Sequence, residues 1–123
     1  MRKISFRKFE HKILPQFRRR INEAESTEDV TKAFLHSIIA FSDSAFEGRV
    51  PIGSDEVSFR PYRQPYFLLD RQLFEDGYFR SVWKDSDLRH VFERLAESAM
   101  NRYRHLEKHR EKRDAKIRMK VGL

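Results

Sequence analysis

The feature that most constrains this chain is a run of apolar residues between Val30 and Phe46 spaced for a helix. Val30, Phe34, Ile38, Phe41 and Ala45 fall three or four apart, and Leu35, Ile39 and Phe46 widen the apolar arc. A helix apolar over about half its circumference has to be central, covered from more than one side. Ser26 or Thr27, followed by the acids Glu28 and Asp29, offers an N-cap and a favourable first turn. Gly48 then supplies the stop, so the spacing predicts a helix from about residue 27 to Glu47.

Two further stripes can cover it. Leu88, Val91, Phe92, Leu95, Ala99, Tyr103 and Leu106 repeat at the same period behind a cap at Asp85 or Ser86. Past Leu106 that wheel direction is taken by Arg110 and Arg113, so the helix should leave the core there. Residues 1–106 therefore read as one helical domain, and 107–123 as a basic arm expected to be mobile. At the other end, Phe6, Phe9, Ile13, Phe17, Ile21 and Ala24 make an amphipathic basic helix, with Pro15 either kinking it or splitting it in two.

Between the second and last helices the chain is irregular. Pro51, Gly53 and Pro61 exclude a long helix in 48–64, while the alternation at Val57 and Phe59 suggests a short strand at 56–60. Pro65 suits the first position of a helix through Asp76, closed by Gly77; the rival is a strand at Tyr66–Leu69. Tyr78–Trp83 reads as strand or connecting turn. The expected fold is mostly α: a compact bundle of three or four main helices with an irregular aromatic segment. A two-strand element in that segment would make it α+β.

Composition narrows the function. The 123 residues contain no cysteine, which removes disulfides, thiolate catalysis and cysteine-bound zinc. The longest apolar stretch, Phe34–Phe41, is interrupted by His36 and Ser37, far short of the roughly 20 residues of a bilayer span. With no uninterrupted apolar segment near the N-terminus, the expected location is the cytoplasm. Four glycines, at 48, 53, 77 and 122, build no phosphate loop or nucleophile elbow, so no enzyme and no cofactor are expected.

The formal charge of +7 is unevenly laid out: +7 over residues 1–20, −6 over 21–99 and +6 over 100–123. Basic ends on an acidic body suit polyanion binding, or equally the docking of those ends on the body. The candidate nucleic-acid contacts are Arg18, Arg19 and Arg20, then Arg60 and Arg63, then Lys108, Arg110, Lys112 and Arg113 in the arm. Arg60 and Arg63 open a stretch where arginines alternate with aromatics, a composition that grips single strands by stacking. Because small domains bury most of their aromatics, core is the competing use for those rings.

Three other clusters bear weighing. His105 and His109 share a helix side, and His36, Asp43 and Glu47 share a polar face, but neither group has the spacing of a recognised metal motif, and no metal site is expected. Asp70 falls on the apolar face of the predicted 65–76 helix, where a buried acid would be perturbed. The first helix also has the basic and aromatic faces of an interfacial membrane helix. The leading expectation is a small basic protein contacting RNA or DNA non-specifically through its ends. The alternative is a non-enzymatic protein-interaction subunit, a homodimer or accessory partner, pairing through Phe-rich surfaces.

Overall fold

The computed structural model describes residues 5–121, with side chains as far as His109. Among these residues there are four α-helices and one two-stranded sheet: α1 Arg7–Glu23, α2 Thr27–Phe46, β1 Val57–Phe59, β2 Phe67–Leu69, α3 Gly77–Asp85 and α4 Leu88–Val121. A 3-10 turn, Arg71–Glu75, links β2 to α3. The mostly helical bundle with a small β element is the architecture that the apolar periodicities imply.

α2 is central. Ser26 caps it by accepting from the Asp29 amide at 3.1 Å, and the Asp29 carboxylate accepts in turn from the Glu25 amide at 3.2 Å. The helix ends at Phe46, where Glu47 (φ 51°) and Gly48 (φ 79°) both turn left-handed. Gly48 enters that region freely, whereas Glu47 is strained there. Phe34, Ile38 and Phe41 of α2 and Phe92, Leu95 and Ala99 of α4 are all buried to 1% exposure or less, so the two cleanest stripes face each other.

α1 runs unbroken through Pro15, which resolves the kink-or-split alternative in favour of one helix. Pro15 and His11 are both exposed, so water can hydrate the His11 carbonyl that proline cannot bond. The N-terminal end of α1 is capped from far away. Asp87, just before α4, accepts from the Phe6 amide at 2.7 Å and the Ser5 hydroxyl at 3.0 Å. A carboxylate at that position also complements the helix dipole.

The segment between α2 and α4 departs most from expectation. The predicted 65–76 helix does not form; the rival strand does, with Val57↔Leu69 and Phe59↔Phe67 paired antiparallel. Phe67 is buried against Phe92 and Trp83. Asp70, expected on an apolar face, is instead exposed and caps the 3-10 turn by accepting from the Gln72 amide at 2.9 Å. Gly77 opens a helix rather than closing one. Asp76 accepts from the Phe79 amide at 2.9 Å, and the aromatic run 78–83 becomes α3 rather than strand or turn.

The start of α4 also shifts. Its first bond runs from the Val91 amide to the Asp87 carbonyl, and the Ser86 hydroxyl accepts from the Leu88 amide. The anticipated arm is a direct continuation of α4, helical to Val121. No helix among the described residues is long and apolar enough to cross a membrane.

Candidate nucleic-acid interface

The site begins with the seven-residue connection 60–66 between the strands. It is two stacked turns: the Arg63 amide bonds the Arg60 carbonyl, the Tyr66 amide bonds the Arg63 carbonyl at 2.7 Å, and the Arg60 amide bonds the Tyr66 carbonyl at 2.7 Å. Tyr66 sits at φ 76°, a costly conformation for an aromatic, and is held there by those two short bonds. The Gln64–Pro65 peptide is cis. The three backbone bonds make the connection a formed structure.

α4 fixes it from below. Arg104 donates from Nε and Nη2 to the Pro61 carbonyl at 3.1 and 2.9 Å. The same guanidinium lies over the Tyr62 ring at 5.2 Å and the Tyr66 ring at 5.7 Å. A ladder of rings then connects the core to the tip. Phe34 meets Phe59 at 5.2 Å, Phe59 meets Tyr103 at 5.7 Å, and Tyr103 meets Tyr62 edge-on at 6.2 Å. Tyr62 ends the ladder with 62% of its surface in solvent, between exposed Arg60 and Arg63.

The basic residues picked out by sequence meet this geometry unequally. Arg60 and Arg63 flank the exposed ring, and Lys108 is exposed one helical turn beyond Arg104. Arg18, Arg19 and Arg20 are all exposed on α1, but successive helical residues diverge by about 100°, so they do not form one patch. Arg18 lines a cleft with Asn101 and His105 of α4, whereas Arg20 lines one with His36 of α2. The side chains of Arg110, Lys112 and Arg113 lie outside the described residues.

Ion pairing shows how the basic ends attach. Among the described residues the ion pairs are Arg89–Glu93 and Arg94–Glu10, and His90 Nδ1 lies 3.6 Å from the Glu93 carboxylate. The basic first helix does not dock by its cations. It docks by its apolar stripe and by Glu10, the one acid in residues 1–20, which is 4% exposed and takes a bidentate fork from Arg94 at 2.7 and 2.8 Å. Hydrogen bonding to Glu10 holds the Arg94 guanidinium above its ordinary value, against the desolvation that would lower it. The cations of α1 are left facing water.

Sequence reasoning missed Tyr62, Tyr103, Arg104 and Glu10 as organising residues. Only Glu10 carried a local signal, since it sits on the apolar stripe between Phe6 and Ile13. Arg104 reaches Pro61 across 43 positions, which no local pattern records. Among the other clusters, His105 and His109 stack edge-on at 4.6 Å and are both exposed. His36, Asp43 and Glu47 are exposed too, and no group of three potential ligands converges among the described residues. On α1, the Phe6, Phe17 and Ile21 face that a membrane helix would present is buried in the core. No protein-family model matches the chain, and no curated protein or solved structure matches it significantly.

Proposed function

We propose that this protein binds single-stranded nucleic acid, with the 60–66 connection and the adjoining turns of α4 as its platform. The observation that carries the reading is Tyr62: an exposed ring, braced from the core and set between two exposed arginines. A base can stack on such a face whatever its sequence, while Arg60, Arg63 and Lys108 meet phosphates. Among the described residues none of these three cations has a carboxylate within ion-pair distance. Cysteine-free composition fits a reducing, cytoplasmic setting for this role.

The rival reading, a subunit that pairs through Phe-rich surfaces, is supported less well. None of the eleven Phe residues is exposed. The large exposed hydrophobics among the described residues, Tyr62, Leu68 and Tyr78, sit on three different elements. Fluorescence anisotropy of labelled single strands and duplex at two salt concentrations tests the proposal. Single strands should bind more tightly, with affinity falling as salt rises. Changing both Arg60 and Arg63 to Gln should flatten the logarithmic salt slope by about 1.4, at roughly 0.7 for each phosphate no longer neutralised. No binding at low salt, together with a stable dimer in light scattering, would transfer the case to the rival.

A further inference from the structure

On the opposite flank of α4 from the hairpin runs a polar groove, walled by α1. It comprises two adjoining clefts of about 490 and 560 Å³ that share Arg18, Ser98 and Asn101. On α1, Arg7, His11, Leu14 and Arg18 recur three, four and seven residues apart, which puts them on one helical face. On α4, Arg94, Ser98, Asn101 and His105 do the same. Ser98 and Asn101 are short and exposed, so the floor between the helices stays open.

Two protein-made clamps hold the walls apart and in place. At one end Arg94 is forked onto buried Glu10. Towards the other, Arg102 donates from Nη2 to the Asn22 and Ala24 carbonyls at 3.2 and 3.0 Å. Arg18 between them, and Arg7 one turn outside the first, have no carboxylate partner among the described residues. The lining carries four arginines against two carboxylates, Glu10 and Glu97, and Arg94 already neutralises Glu10. The surplus is positive and is made of guanidinium, the side chain best matched to phosphate oxygens.

The geometry points to a second binding site here, for phosphate groups in series. From Arg7 to Arg18 the wall is about 16 Å long at 1.5 Å per residue, long enough for more than one phosphate in series. Ser98 and Asn101 add neutral donors along the floor. The ligand is a chain of phosphates, either a nucleic-acid backbone or a small polyphosphate. No hairpin residue lines this site, and Glu97 is the side chain it shares with the cleft beside Gln64, Pro65 and Tyr66.

The test uses the full chain and inorganic tripolyphosphate, followed by calorimetry, with a short labelled oligonucleotide in parallel. Tripolyphosphate should bind saturably, and Arg18→Gln should weaken it about three- to tenfold. Ser98→Leu, which fills the cleft without changing charge, should weaken it comparably. Arg19→Gln, the same charge change outside the lining, and Tyr62→Ala should leave it unaltered. All four positions are exposed, so the variants should fold, and circular dichroism checks that they do. If the oligonucleotide weakens in the same groove variants, the source is a strand. If only tripolyphosphate weakens, it is a small phosphorylated ligand. Absence of saturable binding, or equal losses for Arg18→Gln and Arg19→Gln with Ser98→Leu silent, overturns the site.

Discussion

The two flanks of α4 use arginine in the same way and end in different surfaces. On the hairpin flank Arg104 is committed to the Pro61 carbonyl and two tyrosine rings, and that commitment presents Tyr62 outward. On the α1 flank Arg94 and Arg102 are committed to Glu10 and to two carbonyls, and those commitments hold open a polar groove. One surface presents an aromatic ring, the other a charged groove. The difference teaches that α4's anchoring arginines build the surfaces, while neighbouring arginines with no ion-pair partner among the described residues (Arg60 and Arg63, Arg7 and Arg18) give them their chemistry. Net charge alone would have treated all of these residues as equivalent.

Both flanks hang on the inner face of α4, so damage there should be largest and shared. Phe92 is fully buried and meets Phe41, Phe67 and Trp83. Phe92→Ala should cost about 3–5 kcal/mol through lost burial and a cavity. An unchanged denaturant midpoint would mean the flanks do not share a core. Breaking one flank should cost less. Glu10→Gln weakens the fork to Arg94, and about 1–3 kcal/mol of lost stability is expected, read as a lower melting temperature with the Tyr62 platform's oligonucleotide affinity kept. Loss of that affinity would show the flanks to be coupled.

Pro15 offers a test in the opposite direction. Proline within a helix forfeits a bond and crowds the preceding turn. Since α1 is continuous there and both Pro15 and His11 are exposed, Pro15→Ala should raise stability by about 1–3 kcal/mol. A fall instead would mean that the proline sets a bend the α1 flank depends on.

What could be read from the residues follows a physical divide. α2 and α4 announce themselves because each buries a long stripe, and periodicity over many turns outweighs any local ambiguity. The stretch from Pro65 to Trp83 misled because its punctuation has two readings. Pro65 can open a helix or sit in a loop, and Asp76-Gly77 can close a helix or cap the next one. Contacts with the last helix decided: Phe67 and Trp83 pack onto Phe92. The platform was half legible. Arg60 and Arg63 stood out among aromatics, but Tyr62 could not be told from a core ring until its bracing by Tyr103 and Arg104 was known.

The central claim is that Tyr62 is a stacking surface rather than a structural ring, and one measurement separates these roles. Anisotropy of a labelled single strand against wild type, Tyr62→Phe and Tyr62→Ala, with melting temperatures alongside, reads both at once. Because the ring is mostly exposed and touches the fold through Tyr103 and Arg104, Tyr62→Ala should cost no more than about 1–2 kcal/mol. Its single-strand affinity should fall by about five- to a hundredfold, the value of one stacked base, while Tyr62→Phe keeps the face and binds as wild type does. Duplex affinity, resting on phosphate contacts, should hardly move. Equal single-strand affinity in Tyr62→Ala and wild type, with both folded, would contradict the account.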